Sequence, residues 1–121
     1  MTISLQHIND EECLRFQGSL ELVGQRWSGG ILLALGRGAT RFTEIKVSVI
    51  GLSDRLLAQR LKQLAAADLV ERSILPTTPV QVRYRLTERG RSLLQALQPL
   101  AAWGREWADD GEAEQRERDT A

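Results

Sequence analysis

The sequence predicts a mainly α fold that carries one small β-hairpin. The apolar residues Leu57, Leu61 and Leu64 recur at helical spacing and form a narrow stripe along one face of a helix. The stretch "VQVRYRL", residues 80–86, instead alternates strictly between apolar and polar residues, which is the period of a β-strand. Both patterns fall within 121 residues, a length that favours one domain burying about two-thirds of its unfolded surface.

The composition is that of a soluble globular protein, with 42% hydrophobic and 26% charged residues. No apolar run approaches the roughly 20 residues that a membrane-spanning helix needs. The first ten residues lack the basic start and apolar core of a secretory signal, and the only cysteine, Cys13, excludes an internal disulfide framework. We therefore expect a cytoplasmic protein that does not associate with membranes.

Enzymatic chemistry is not expected. The only histidine, His7, falls in the N-terminal arm, so neither a histidine-based catalytic triad nor a multi-histidine metal site can be assembled within one chain. Paired carboxylates occur only in stretches that we expect to be solvated. We predict no catalytic residue, no cofactor and no metal site.

Helix signals divide the first half of the chain. Apolar positions from Glu11 onward predict a helix that ends at Gly24, and the apolar stretch from Trp27 to Leu35 predicts a buried helix. Thr40 is the expected N-cap of a short helix over residues 41–47. Residues 1–10 are expected to be a flexible arm, residues 11–108 the folded domain, and residues 109–121 an acidic, disordered tail.

A helix-turn-helix is predicted at the centre of the chain. Ser53 is a suitable N-cap for the helix over residues 54–67, which follows the short helix after a glycine-containing turn. At 100° per residue, its outer face carries Arg55, Gln59, Lys62 and Gln63. Arg60 falls nearer the core, so we assign it a structural role.

The hairpin that follows has a stiff tip. Residues 69–75 and 80–86 are the expected strands, and they are joined by Pro76-Thr77-Thr78-Pro79. Proline suits this tip because it has no backbone N–H, and no inter-strand hydrogen bond has to be donated there. The alternation predicts one buried side of the second strand and one exposed side; the buried set is Val80, Val82, Tyr84 and Leu86, and the exposed set is Gln81, Arg83 and Arg85. A helix-turn-helix followed by such a hairpin is a winged helix-turn-helix.

The last predicted helix carries an apolar seam. It runs from Glu88, capped by Thr87, to about Ala108, and Pro99 should kink it or split it in two. Its apolar surface needs a partner, and we favour a homodimer built from the two terminal helices over intramolecular packing alone. The expected dimerisation residues are Leu14, Leu93, Leu97, Leu100, Trp103 and Trp107.

Charge is distributed unevenly along a chain whose net charge is zero. Residues 37–91 carry eleven basic and five acidic residues, whereas the flanking segments are net acidic. A basic central segment on a winged helix predicts a face that binds double-stranded DNA, with the alternative of a protein-interaction module that binds an acidic protein. The expected DNA-binding residues are Arg41, Ser53, Arg55, Gln59, Lys62, Gln63, Thr77, Thr78 and Arg83.

Four segments resemble, in order and spacing, the HxlR family of bacterial transcriptional regulators. They are "ELVGQRWSGGILLAL", "TRFTEI", "LSDRLLAQRLKQLAAADLVERSILPTTPVQVRYRLTERGRSLL" and "AAWG", and the resemblance covers roughly residues 13–107. It implies a winged-helix homodimer that binds inverted-repeat operators and dimerises through its first and last helices. Pro99 and the acidic tail depart from the common pattern of the family.

The resemblance also implies a role for Cys13. Many family members carry a cysteine just ahead of the first helix, and some use it to sense oxidants or electrophiles such as quinones. This chain lacks the second, C-terminal cysteine with which such members form an intersubunit disulfide. Nearby acids oppose a thiolate at Cys13 while a helix N-terminus favours one, so two interpretations remain: a reactive sensor, or a small apolar residue at the dimer seam.

Overall fold

Residues 9–107 are described by the computed structural model, and this part of the chain contains six helices and a two-stranded antiparallel hairpin. The elements, in chain order, are α1 (Asp10–Gly24), α2 (Ser28–Gly36), α3 (Phe42–Ser48), α4 (Asp54–Ala66), β1 (Val70–Leu75), β2 (Gln81–Leu86), α5 (Glu88–Ala96) and α6 (Gln98–Glu106). The predicted fold class is confirmed. The expected acidic tail and all but the last two residues of the expected arm lie outside the described residues.

The core forms where α2, α3 and α4 meet the base of the hairpin. Leu57, Leu61 and Leu64 of α4 are buried, as their spacing predicts. They join a cluster completed mainly by Ile31, Leu32, Leu35, Ile45, Val49, Leu52, Leu69, Val70 and Leu86. Four of the nine residues of α2 are buried apolar side chains, and this explains its nearly uniform apolar sequence.

Side-chain caps fix several helix starts. The side chain of Asn9 accepts a hydrogen bond from Glu12 N at 2.8 Å, so α1 begins one residue earlier than expected. Ser53 caps α4 by accepting from Leu56 N at 3.2 Å, and Thr87 caps α5 by accepting from Gly90 N at 3.0 Å. The caps predicted at Ser53 and Thr87 are therefore confirmed.

The N-cap predicted for α3 is wrong by one residue. Arg41, not Thr40, is the N-cap, and its side chain does not cap the helix. Instead Glu44 Oε1 accepts from the backbone N–H groups of Arg41 at 2.9 Å and Thr40 at 3.2 Å. A carboxylate one turn into the helix therefore caps α3 by accepting from the N–H groups that precede the helix, as in the Glu half of a capping box.

The hairpin pairs β1 with β2 in register, from Val70 opposite Leu86 to Leu75 opposite Gln81. The predicted alternation is confirmed at Arg85, which is exposed, and at Leu86, which is buried. Val80, predicted to be buried, lies outside the strand and is exposed. Gln81 and Arg83, predicted to be exposed, are half-buried, and Val82 and Tyr84 are half-buried instead of fully buried. The reason is tertiary: Tyr84 N donates to Thr40 O at 2.7 Å, so the loop before α3 runs along β2 and covers the Arg83 side chain.

The last predicted helix is split at Leu97, and Pro99 lies in the first turn of α6. Proline is tolerated there because the first N–H groups of a helix have no intrahelical partner. The break is local, since Leu97 N still donates to Leu93 O at 3.0 Å and Ala101 N to Leu97 O at 3.0 Å. Among residues 9–107, no helix combines the length and apolar character that a membrane crossing requires.

Candidate nucleic-acid interface

The helix-turn-helix consists of α3, a turn and α4. Ile45 of α3 and Leu57 of α4 are both fully buried in the same core. An ion pair between Lys46 Nζ and Asp54 Oδ1 also joins the end of α3 to the first turn of α4. In the turn itself Gly51 has a φ of +88°, a conformation that residues with a Cβ rarely adopt. These contacts fix the direction in which α4 presents its outer face.

That outer face is polar and cationic. Arg55, Gln59 and Lys62 are exposed along one side of α4, opposite the buried leucines, as predicted. Arg41, at the start of α3, is also exposed, and so is Ser53 next to the N-terminus of α4. The exposed positive end of a helix, flanked by arginine and lysine, suits an anionic partner.

Gln63 and Arg60 interact with each other. Arg60 Nη1 donates to Gln63 Oε1 at 2.7 Å, and Arg60 Nε donates to the carbonyl oxygen of Arg26 at 3.1 Å. Arg60 therefore ties α4 to the loop between α1 and α2, and its partners are oxygens of an amide and a backbone carbonyl. The side-chain oxygen of Gln63, which the sequence assigned to DNA, is engaged within the protein.

The wing tip is exposed from Pro76 to Val80. The hydroxyl of Thr77 donates to the carbonyl oxygen of Pro79 at 2.8 Å, so its proton is used to shape the tip. No such bond is made by the Thr78 side chain among the described residues, and its hydroxyl is available to a partner.

The two arginines of β2 are held differently. Arg85 is exposed and binds Glu71, its cross-strand partner, through Nε at 3.0 Å and Nη2 at 2.8 Å. Arg83 is half-buried, and it donates to Thr40 Oγ1 at 3.0 Å and to Gln81 Oε1 at 2.8 Å. Neither guanidinium is a free cation on the wing surface.

The carboxylate of Glu44 lies beside this contact. Hydrogen bonds from the backbone N–H groups of Arg41 and Thr40 lower the pKa of Glu44 from its ordinary value of 4.5. The carboxylate therefore stays ionised at neutral pH and continues to cap α3. Within residues 9–107, no group of three His, Cys, Asp or Glu side chains is placed to hold a metal ion.

The terminal helices leave a large apolar surface uncovered. Each of six large apolar side chains on α1, on α6 and just beyond it is more than half exposed: Leu14, Phe16, Leu20, Leu100, Trp103 and Trp107. Between these helices and α2 lies a cleft of about 260 Å³, lined mainly by Val23, Leu33, Leu94, Leu97, Leu100 and Ala101. Leu93 and Leu97, assigned to dimerisation from the sequence, pack against the core of their own chain.

Cys13 lies in the first turns of α1 and is exposed. Its backbone N–H donates to the carbonyl oxygen of Asn9 at 3.0 Å, so that N–H is already used by the helix. The thiol lies on the apolar side of α1. Successive spacings of three, four and three residues lead from Cys13 to Phe16, Leu20 and Val23, and residues at these spacings share one face of a helix.

Residues 22–112 match the HxlR-like helix-turn-helix family. The chain belongs to this family. The match includes the helix-turn-helix and the wing, whereas Cys13 precedes it.

Several relatives of this HxlR-like chain are transcriptional regulators, a class of protein that is typically not enzymatic. The chain is 39% identical over 100 residues to the HTH-type transcriptional regulator YodB of Bacillus subtilis. This alignment covers 83% of this chain and 89% of YodB. The crystal structure of diamide-treated YodB superposes with a TM-score of 0.69 at 40% identity, over 78% of this chain and 94% of that one. The redox regulator HypR in its reduced form gives a TM-score of 0.75 at 28% identity, over 82% of this chain and 98% of HypR.

Sequence reasoning placed the helix-turn-helix of this HxlR-like chain correctly but missed the link between Thr40 and Arg83. The two residues are 43 positions apart. No local pattern could have paired them, because period and capping describe neighbours along the chain. The Lys46–Asp54 ion pair was missed for a related reason, since it joins two helices across a turn.

Proposed function

We propose that this HxlR-like regulator is a sequence-specific DNA-binding repressor that binds an inverted-repeat operator as a homodimer. The observation that carries the proposal is the exposed face of α4, where Arg55, Gln59 and Lys62 project from a helix anchored by three buried leucines. A helix of this kind fits the major groove, which is about 12 Å wide. Repression is the simplest outcome, because a protein bound over a promoter obstructs polymerase.

Each residue has a distinct expected task at the DNA. Arg55 and Gln59, near the N-terminal half of α4, would face base edges, where arginine pairs with guanine and glutamine with adenine. Lys62, Arg41, Ser53 and Thr78 would contact the phosphate backbone and set the orientation of the domain. Thr77 would shape the wing tip, and Gln63 would support Arg60 from within the protein.

A second copy would supply the other half-site. The exposed apolar side chains of α1 and α6 are chemically suited to one another, and a two-fold pair lets the same patch serve both chains. The cleft beside Leu33 and Leu100 offers a place for an apolar side chain of the partner. Two α4 helices related by a two-fold axis would read half-sites about one helical turn apart.

Selection from a random duplex library tests the proposal. At low salt, the protein should enrich an inverted repeat with half-site centres about 10 base pairs apart, and its affinity should fall steeply as salt is added. Failure to bind any duplex at low salt would overturn the proposal and favour a module that binds an acidic protein.

Arg55 and Lys62 should give different signatures on the selected operator. Arg55→Met should weaken binding by about 1–3 kcal/mol and relax the preference at one base pair in each half-site. Lys62→Met should weaken binding to all sequences alike and reduce the salt slope by about 1 per half-site. Fluorescence anisotropy across a salt series measures both, and Arg15→Met on α1 is the charge-matched control. Equal loss of preference in both variants would contradict these roles.

We further propose that modification of Cys13 releases the operator. The thiol is exposed on the apolar side of α1, so a bulky adduct there would disturb the proposed dimer seam. With a quinone, the S–H bond would break and the sulfur would add to a ring carbon to form a C–S bond. The thiol proton would go to one quinone oxygen and the proton of the attacked ring carbon to the other, so that the ring becomes a hydroquinone. The similarity to YodB and HypR supports this proposal, since HypR is described as a redox regulator.

Cys13→Ser tests the sensor. The variant should bind the operator as tightly as the wild type and remain bound after treatment with benzoquinone, whereas the treated wild type should lose about tenfold or more in affinity, equivalent to about 1.4 kcal/mol. Intact mass spectrometry should show one adduct per chain. If Cys13→Ser is released by quinone as readily as the wild type, Cys13 is structural and not a sensor.

A further inference from the structure

We propose that Arg83 is a positioning residue that holds the wing against the start of α3 and does not contact a DNA phosphate. The inference rests on the proposed DNA binding and assigns the Arg83 side chain a different task within it. An arginine on the wing of a DNA-binding domain would ordinarily be interpreted as a phosphate contact, because its positive charge is attracted to the negatively charged DNA backbone. The contacts of this arginine indicate otherwise.

The guanidinium of Arg83 is directed inward. Nη1 donates to Thr40 Oγ1 at 3.0 Å and Nη2 to Gln81 Oε1 at 2.8 Å, and the side chain is half-buried. Nε is buried and has no hydrogen-bond partner among the described residues. Two of the five N–H donors of this guanidinium are used within the protein and a third, on Nε, is buried, so the Nε–Nη2 fork is not open to a phosphate.

Thr40 joins the wing to the helix-turn-helix. Its carbonyl oxygen accepts from Tyr84 N on β2 at 2.7 Å, and its hydroxyl accepts from Arg83. Its N–H donates to Glu44 Oε1 at 3.2 Å, and Glu44 caps α3. An unbroken path of hydrogen bonds therefore runs from β2 through Thr40 into the first turn of α3.

The two bonds to Thr40 have different consequences. The Tyr84–Thr40 backbone bond fixes the separation of β2 from the loop, and the Arg83 fork adds a second attachment beside it. With both bonds in place, the hairpin cannot rotate freely about the Tyr84–Thr40 bond. The wing tip therefore keeps one orientation relative to α4. That orientation decides whether α4 and the wing tip can contact the same duplex at once.

Two conservative substitutions separate positioning from charge. Arg83→Lys keeps the charge but loses the fork, because one ammonium cannot bind Thr40 and Gln81 in the same geometry. Thr40→Val changes no charge and removes, at nearly constant volume, the hydroxyl that accepts from Arg83 and donates to Glu44 Oε1 at 3.3 Å. If Arg83 positions the wing, each variant should raise the operator Kd about five- to tenfold, and the double variant should be no weaker than either single one. Thr40→Ser, which keeps the hydroxyl, should bind as the wild type does.

The salt dependence supplies the decisive measurement. The charge of Arg83 is removed in a third variant, Arg83→Met. If Arg83 contacted a phosphate, this variant should reduce the slope of log K against log salt by about 0.9 per site, whereas loss of positioning should leave the slope unchanged. Arg85→Lys, at an exposed position of the same strand, is the matched control and should bind as the wild type does. Thermal unfolding of each variant shows whether the domain is intact. The operator affinity of Thr40→Ser shows how much affinity is lost by changing residue 40 while the hydroxyl is kept.

Any one of the following results would overturn the inference. They are wild-type affinity in Arg83→Lys, wild-type affinity in Thr40→Val, or a reduced salt slope in Arg83→Met. These results differ from failure of the proposed function, in which the wild type itself would not bind duplex DNA. Additive losses in the double variant would also count against a shared role of Arg83 and Thr40.

Discussion

Trp103→Glu is expected to give single chains in solution and to weaken operator binding by about 100-fold or more. Trp103 is 60% exposed on α6, beside the exposed Leu100 and Trp107. In the proposed dimer this indole is buried, and a carboxylate in its place would have to lose its hydration without a partner. A single chain binds only one half-site, so the increase in affinity that comes from binding two half-sites at once is lost.

Sedimentation equilibrium and anisotropy on the selected operator measure the two effects. Ile50→Glu is the matched control for association, because Ile50 is 89% exposed in the turn before α4 and outside the terminal helices. It should leave the dimer intact. A Trp103→Glu protein that still sediments as a dimer would show that α6 does not form the interface.

Gly90→Ala is expected to destabilise the protein by about 3 kcal/mol and to lower its Tm by more than about 10 °C. Gly90 lies in the first turn of α5, directly against the backbone of Leu69 just before β1, and a Cβ there would lie 2.0 Å from the carbonyl oxygen of Leu69 and 3.2 Å from Leu86 Cδ2. The obstructing atom belongs to the backbone, so it cannot rotate away. That same oxygen accepts a hydrogen bond from Thr87 N at 3.0 Å, and relief of the clash would break it.

Gly18→Ala on α1 is the control for the intrinsic effect of the substitution. A Cβ at Gly18 meets nothing within 4 Å, so alanine should stabilise the helix there by about 0.5–1 kcal/mol. Thermal and urea unfolding of the two variants should therefore shift in opposite directions. Equal and small shifts would show that α5 moves away from Leu69 more easily than its contacts indicate.

The parts of the fold predicted correctly are those governed by local chemistry. Ser53 and Thr87 cap their helices because each side chain reaches an N–H three residues ahead, which sequence spacing alone specifies. Pro99 breaks the last helix because it has no N–H to donate, wherever the helix packs. The buried stripe of α4 follows from its period.

The parts predicted wrongly involve a partner from elsewhere in the chain. Thr40 was expected to cap α3, but Glu44 performs that task, and the threonine hydroxyl instead donates to Glu44 Oε1 and accepts from Arg83. Alternation along β2 predicted an exposed Arg83, yet the loop before α3 covers it. For the DNA-binding residues, the exposed positions on α4 were predictable from the helical period, whereas the internal roles of Gln63 and Arg83 were not.

The sequence by itself determined the order of the helices and strands, the N-caps at Ser53 and Thr87, the buried face of α4 and the identity of the basic segment. These properties depend on residues within one or two turns of each other, and the chain fixes such separations. The tertiary structure alone decided which arginines are free and which are bound, and how the wing is attached to α3. Those outcomes depend on side chains as far apart as Thr40 and Arg83, whose approach is set by packing of the core and not by their spacing along the chain.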